Sequence, residues 1–221
     1  MLINSIDKKS GSITVDPGAS EDSFVQFDIN GTSKFKVGVD DDDSDAFKIS
    51  HGSALGTTDT FIMSSEGEQT IPLQSAFSAY LSSTASNVTG DGTVYTIICD
   101  TKSFDLNSDY NNTTGLFTAP VTGKYCILMT TFMTVEAAGG STMRMQPIIG
   151  GDNFYVPYAP ARKEITNLYG PNTNLTMFLS IIRDLDAADT VVFAVRSFGG
   201  TKINDIYGGS IYTVFSVYLI C

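Results

Sequence analysis

Short alternating runs of apolar and polar residues dominate this chain, and no run keeps a helical period for more than about two turns. In the first third, the alternation predicts four strands, over residues 24–29, 34–39, 46–50 and 60–64. Asn30 and Gly31, between the first two, form a typical hairpin-turn pair. Strands of this length in about 60 residues bury little surface alone, so the region is a marginal independent domain; stacking three copies about an axis would bury more.

In the second of these strands the two faces differ in chemistry. Phe35, Val37 and Val39 share one face, whereas Lys34 and Lys36 share the other.

Later runs, at 76–81, 93–99, 125–135 and 211–220, also predict strands, and the last two are apolar on both faces. In 125–135, one side carries Tyr125, Ile127, Met129 and Met133, and the other carries Cys126, Leu128 and Phe132. In 211–220, one side carries Ile211, Phe215, Val217 and Leu219, and the other carries Tyr212, Val214, Tyr218 and Ile220. A sandwich buries one face of each strand in its own core, so the second face predicts a subunit interface.

Composition fits this pattern. The chain of 221 residues is 42% apolar and 11% aromatic, which is enough for a packed core. The predicted class is all-β.

The net charge of −11 is uneven: residues 1–73 carry 13 acidic and 5 basic side chains, and residues 74–221 carry 11 and 8. An acidic chain without a basic stripe binds phosphate poorly, so we expect no nucleic-acid partner. No apolar run is long enough to span a bilayer, so we expect no membrane insertion.

Three cysteines, Cys99, Cys126 and Cys221, match no disulfide framework or metal motif. The first residues, MLINSIDKKSGS, lack the apolar stretch of a secretory signal. The sequence therefore predicts synthesis in a reducing cytosol without secretion.

The segment 104–125 places Asn, Asp, Gly and Pro between isolated aromatic residues, as short strands joined by turns do. It resembles the globular head of the complement and tumour-necrosis-factor superfamily. The residues that carry the resemblance are Phe104, Asp105, Tyr110, Asn111, Gly115, Phe117, Ala119, Pro120, Gly123 and Tyr125, with support from 76–81, 185–191 and 215–220. The resemblance implies an antiparallel β-sandwich of the jelly-roll type over residues 74–221, associated as a homotrimer.

For that head we expect core or trimer-interface roles for Phe104, Tyr110, Phe117, Tyr125, Ile127, Phe132, Phe215 and Tyr218. Residues 1–12 form a predicted N-terminal arm, and 13–70 a small β-rich attachment or stalk region. The phrase DAFKISHGSALGTTDTFIMSSEG in this region resembles the β-rich repeats of bacteriophage tail-fibre and appendage proteins.

Catalytic motifs are missing from the sequence. His51 is the only histidine, so a histidine zinc cluster cannot form. It also lies far in sequence from every cysteine, which disfavours a Cys-His site. We predict no catalytic residues and no enzyme activity; a carboxylate pair acting as a polysaccharide depolymerase is a third hypothesis.

The acidic run Asp40, Asp41, Asp42, Asp43 and Asp45 lies between two predicted strands. We interpret it as a solvated hairpin loop and predict no cofactor; a calcium site is the alternative, because calcium prefers carboxylate oxygens.

The longest irregular stretch of the predicted head, 151–174, combines aromatic and basic side chains, and we predict ligand-binding roles for Tyr155, Tyr158, Arg162, Lys163 and Tyr169. Exposed tyrosines stack on sugars, and arginine donates planar hydrogen bonds. A loop packed against the sandwich is the alternative.

These features favour a non-enzymatic homotrimeric bacteriophage virion protein, either a fibre, an appendage or a capsid-surface protein. Its N-terminal region would dock on other virion proteins, and its head would project from the virion surface and bind a host glycan or protein. A soluble ligand or lectin of the complement-head type is the alternative.

Overall fold

The computed structural model of the chain describes residues 14–18, 20–135, 142–151, 163–165 and 173–221. The chain divides into two compact units, 1–73 and 74–221. Across the described residues the regular structure is β-strand, apart from one 3-10 turn at Asp41–Asp43. These residues include no apolar helix of membrane-spanning length.

The N-terminal unit is one antiparallel sheet in which neighbouring strands follow one another along the chain. Its strands are β1 (Ser23–Ile29), β2 (Thr32–Asp40), β3 (Ala46–His51), β4 (Asp59–Met63) and β5 (Gln69–Thr70). Asn30 and Gly31 join β1 to β2, both with positive φ (51° and 73°), which confirms the predicted turn. The acidic run is the β2–β3 hairpin loop, as predicted.

In this N-terminal sheet the buried face carries polar side chains and the exposed face carries apolar ones, the reverse of the usual distribution. Lys36, Asp40, Lys48 and Ser50 are buried on one face. On the other face, Phe35 remains 43% exposed. Alternation in β2 was visible in the sequence, but it did not show which face would be covered.

The second unit is a two-layer antiparallel sandwich, so the predicted all-β class and β-sandwich head are confirmed. In chain order its strands are β6 (Ala76–Tyr80), β7 (Ala85–Thr89), β8 (Val94–Thr96), β9 (Thr101–Asp105), β10 (Tyr110–Asn111), β11 (Leu116–Thr118), β12 (Gly123–Val135), β13 (Thr142–Ile149), β14 (Lys163–Ile165), β15 (Thr173–Leu185), β16 (Thr190–Phe198), β17 (Asn204–Ile206) and β18 (Val214–Leu219). One sheet has the order β10-β11-β16-β13-β14, with β8 also paired to β16. The other has the order β7-β17-β12-β18-β6-β9, with β15 paired to β12 along its whole length.

Aromatic rings from both layers form the centre of the sandwich. Phe77 of β6 stacks on Tyr110 of β10, with ring centroids 4.3 Å apart, and meets Phe215 edge-on at 5.1 Å. Phe193 of β16 reaches Phe215 from the opposite layer at 5.9 Å. The two layers therefore share one apolar core.

Two predictions about the head need correction. Ile211 was placed on the strand face of Phe215, but β18 begins at Val214, and Ile211 lies in a turn with 80% of its surface exposed. Apolar character extended the predicted strand, whereas backbone bonding to Gly209 curls this segment into a turn. The stretch 151–174 was predicted to be irregular, yet Lys163–Ile165 forms β14 against Met143–Met145 of β13, because a sheet edge offered unpaired backbone groups.

Candidate functional site

The outer face of the large sheet of the head is the candidate subunit interface. Its register puts three rows of side chains side by side across β15, β12, β18 and β6. The rows are Ile182–Cys126–Tyr218–Ala76, Ser180–Leu128–Ser216–Ser78 and Phe178–Thr130–Val214–Tyr80. Phe104 on β9 extends the middle row beside Ser78. We call this surface the head face; none of these side chains is charged.

Several large side chains on the head face remain open to solvent in the single chain. Phe178 and Ile182 are each 58% exposed, Phe104 is 48% exposed and Tyr218 is 42% exposed. Beside them, the Cys126 thiol is buried, and its interaction with the Tyr218 hydroxyl raises the pKa of that tyrosine. Exposed apolar side chains that lie side by side in this way are typical of an interaction surface.

Charge appears at the rim of the head face. Lys124 of β12 lies opposite Asp184 of β15, and the ammonium donates to the carboxylate at 2.5 Å. Both side chains are exposed, so this pair contributes little to stability. An uncharged centre with a polar rim is the usual composition of a protein interface.

The residues predicted for the head core or interface divide into three groups. Tyr110, Phe117, Tyr125, Ile127 and Phe215 are core residues of the single chain. Phe104 and Tyr218 lie on the head face, where an interface role stays a prediction. Phe132 is half-buried because Tyr207 and Tyr212 of its own chain pack on its ring, at centroid distances of 5.1 and 5.3 Å.

The hydroxyl groups of two buried tyrosines donate hydrogen bonds to backbone carbonyls. Tyr110 donates its hydroxyl to the Cys99 oxygen at 3.0 Å, and Tyr125 donates to the Val121 oxygen at 2.7 Å. Burial raises the pKa of both hydroxyls, so the rings stay neutral anchors of the fold. Cys99, Cys126 and Cys221 are all free thiols.

Two residues of the acidic run, Asp40 and Asp43, contact a buried lysine. The Lys48 ammonium is 2.8 Å from Asp40 Oδ2, 2.6 Å from Asp43 Oδ2 and 3.5 Å from Asp59 Oδ2. Burial alone would lower the pKa of Lys48, but hydrogen bonds to Asp40 and Asp43 and the attraction of Asp59 together raise it. Among the described residues no cluster of His, Cys, Asp or Glu is arranged to hold a metal ion.

In the calcium hypothesis, a bound ion supplies the positive charge beside these carboxylates. In the structure, the Lys48 ammonium occupies that position for Asp40 and Asp43. Asp40 and Asp43 face this ammonium, while Asp41, Asp42 and Asp45 lie exposed along the loop. Asp59, from β4, was not among the candidate residues, and only the tertiary fold brings it to Lys48. Gly56 lets its loop approach closely, since a Cβ there would lie 2.8 Å from Asp40 Oδ2.

Most of the predicted ligand-binding residues lie outside the described part of the chain: Tyr155, Tyr158, Arg162 and Tyr169. Lys163 is the first residue of β14.

Sequence reasoning missed a pair of arginines on the smaller sheet of the head. Arg144 on β13 and Arg196 on β16 are cross-strand neighbours, and both guanidinium groups lie over the Phe198 ring, at 5.0 and 4.3 Å from its centroid. The two arginines belong to different strands, so strand pairing alone brings them together. The sequence of β16 gave no sign of the pair, because the residues that precede Arg196 in that strand are almost wholly apolar.

Comparison with solved structures finds a likeness for this chain. The chain is similar to the globular domain of the zebrafish complement 1qA protein, with 19% identity over 67% of this chain and 98% of that one, at a TM-score of 0.43. No protein-family model matches the chain, and no curated protein matches it.

Proposed function

We propose that this chain is a non-enzymatic structural protein of a bacteriophage particle that assembles as a homotrimer. In this proposal the N-terminal region docks on other virion proteins, and the head projects from the virion surface after synthesis in the host cytoplasm. The head face is the observation that supports assembly. The resemblance of residues 104–125 to trimeric heads supports the number three.

Burial of the head face favours association of the chains. Four of its side chains, Phe104, Phe178, Ile182 and Tyr218, are 42–58% exposed in the single chain. At about 25 cal/mol per Å² of apolar surface, covering such side chains with another copy is strongly favourable. Copies of an acidic chain repel one another. Contact through an uncharged face therefore has the smallest electrostatic repulsion.

The virion role rests on the N-terminal unit. It is a separate compact unit, as an attachment module must be. Its residues 45–67 also carry the resemblance to tail-fibre and appendage repeats. A separate sheet joined to an outward head suits a particle protein better than a free ligand.

Lack of catalysis is part of the proposal. His51 packs edge-on against Phe35, with centroids 5.4 Å apart, on the apolar face of the N-terminal sheet. The Cys99 thiol is fully buried, and burial with the nearby Asp100 carboxylate raises its pKa to about 12, so it is a poor nucleophile. Release of reducing ends from host polysaccharide, abolished by replacing one carboxylate pair, would show a depolymerase instead.

Mass measurement of the purified full chain tests assembly. We expect three times 23.7 kDa at micromolar concentration. A monomer at that concentration contradicts the homotrimer. Labelled antibody on purified phage particles then tests location: binding at defined positions is expected, and absence from particles favours the soluble complement-head-like ligand.

The proposal also assigns binding of the host surface to residues 151–174. Replacing Tyr158 and Arg162 with Ala should reduce attachment to host cells while the melting temperature stays nearly constant. Three weak sites on one trimer would act together through avidity, so a moderate loss per site gives a large loss of attachment. Unchanged attachment with collapsed stability would show instead that these side chains pack against the sandwich.

A further inference from the structure

The N-terminal sheet has an apolar face of its own, and it lies on the solvent side. Strand pairing puts Val25, Val37, Ile49 and Phe61 in one row across β1 to β4. Neighbouring rows add Phe27 with Phe35, and Val39 with Phe47 and Met63. We call these nine side chains the N-terminal apolar face; His51 beside Phe35 is its one titratable neighbour in the rows.

The chain's own N-terminal sheet leaves this face open. Phe27 is 54% exposed, Val25 49%, Phe35 43% and Val39 36%, and the other five side chains are half-buried among their neighbours. Within the described part of this unit, the buried apolar side chains are only Ala46 and Leu55. The interior of the unit is instead the polar side of the sheet, where Lys48 meets its aspartates.

A sheet with this distribution lacks the apolar core that stabilises a small domain. A unit of roughly 60 residues is marginal even when it buries its apolar side chains well. Here the face that would supply that burial is uncovered. The stable form of the unit therefore requires a second layer against this face.

We propose that the second layer is the same face of other copies of this chain, so that three N-terminal sheets turn their apolar faces toward one another. This inference takes its number of copies from the proposed homotrimer; the face itself stands on the N-terminal sheet alone. Three features of the molecule identify a copy, rather than another protein, as the occupant.

The first feature is charge. Residues 1–73 carry 13 acidic and 5 basic side chains, yet all nine members of the face are uncharged. Asp40 and Asp59 belong to the opposite, covered side with Lys48. Copies that meet through this face keep their acidic side chains apart, whereas contact through any acidic surface would be repulsive.

The second feature is area. With aromatic side chains half exposed, the face offers on the order of 500 Å² per copy, close to the largest apolar patch that soluble monomers expose. A standard interface buries about 800 Å² per partner. The face alone is too small for a strong complex with a separate protein, whereas copies already held together by the head meet at a high effective concentration.

The third feature is self-complementarity. Packed sheets lie about 10 Å apart and interdigitate rows of side chains. The paired rings of Phe27 and Phe35 form a raised row beside the lower row of Val25 and Val37, so equivalent faces supply both protrusions and recesses.

Cross-linking of the full chain tests the proposal. Val37 lies in the middle of the face, and Lys34 is an exposed residue of the same strand on the opposite face. In a Cys221→Ser background, Val37→Cys should be linked between copies by a short bis-maleimide, with two chains of each trimer joined and the third left single. Lys34→Cys is the matched control and should remain unlinked, as should the background without a new cysteine.

The outcomes separate this inference from the proposed function. A trimer in which Val37→Cys stays unlinked, and is fully labelled by a single-headed maleimide, overturns the facing of the N-terminal sheets while the homotrimer stands. A monomeric chain overturns both. If Val37→Cys fails to fold, Phe27→Cys, whose parent side chain is more exposed, serves as the second variant. Links through Lys34→Cys equal to those through Val37→Cys would also contradict the proposal.

Discussion

The two units of this chain place their apolar side chains on opposite sides of their sheets. In the head, Phe77, Phe193 and Phe215 lie between two layers and are fully buried. In the N-terminal unit, the enclosed side holds Lys48 with Asp40, and the rings of Phe27 and Phe35 face solvent.

This difference shows how each unit obtains its stability. The head supplies its own second layer, so its core is complete within one chain. The N-terminal sheet has no second sheet among the described residues, and its covered side is held by a charge network that stabilises only while every partner is present. The head is therefore expected to fold by itself, and the N-terminal unit to depend on association.

The largest effect is expected from Phe77→Ala in the head. Phe77 contacts Tyr110, Phe117 and Phe215, so its removal leaves a cavity at the meeting point of both layers. The free energy of unfolding of the head should fall by about 3–5 kcal/mol. Chemical denaturation measures it, and Val121→Ala, which shortens an exposed side chain outside the head face, is the control. Equal losses from both variants would contradict the assignment of Phe77 to the core.

Lys48→Met should destabilise the N-terminal unit next most strongly. It leaves the buried carboxylates of Asp40 and Asp59 without their cation. Removing one member of a buried charge pair costs about 3 kcal/mol or more. Hydrogen exchange of the β3 amides should accelerate while that of β12 is unchanged. The control, Lys34→Met, changes an exposed lysine, and equal acceleration by it would show that the Lys48 network is not what holds the sheet.

Tyr218→Asp separates folding of the head from its assembly. Tyr218 is 42% exposed on the head face, so the single chain accommodates a carboxylate there without burying it. In an assembly, the same change places like charges in a desolvated interface, which costs several kcal/mol. We expect dissociation in sedimentation with the head still folded. Ile211→Asp, at an 80% exposed turn, is the control, and an unchanged oligomer for Tyr218→Asp would exclude this face as the interface.

Thiol reactivity gives a smaller effect. Cys221 is exposed, whereas Cys99 and Cys126 are buried. The pKa of Cys99 is about 12, because burial disfavours its thiolate. At pH 8 we expect one thiol per native chain to react quickly, and three after denaturation. Fast reaction of Cys99, mapped by mass spectrometry, would mean that the sandwich opens readily.

The smallest effect is expected from calcium. The Lys48 ammonium already pairs with Asp40 and Asp43, so an added cation would have to compete with it for the same carboxylates. The melting temperature should be the same in chelator and in millimolar calcium. A rise of many degrees would show that calcium binds the folded state and stabilises it through mass action.

The sequence by itself determined the local features of this protein. Asn30 and Gly31 tolerate positive φ, so their hairpin could be predicted from two residues. Alternation identified the strand around Val37, and a long apolar run identified the strand around Ile127. The resemblance of 104–125 to a known family of heads implied the type of sandwich. These features depend on neighbours within a few positions.

Only the tertiary structure decided which side of each sheet is covered. Alternation with period two is the same whichever face is buried, so Phe35 and Lys36 could not be assigned to outside and inside from β2 alone. The same limit applies to Asp59, which reaches Lys48 through strand pairing, and to Arg144 and Arg196, which meet across two strands. Contacts between segments distant in sequence determine burial and charge pairing, so neither can be predicted from a local sequence pattern.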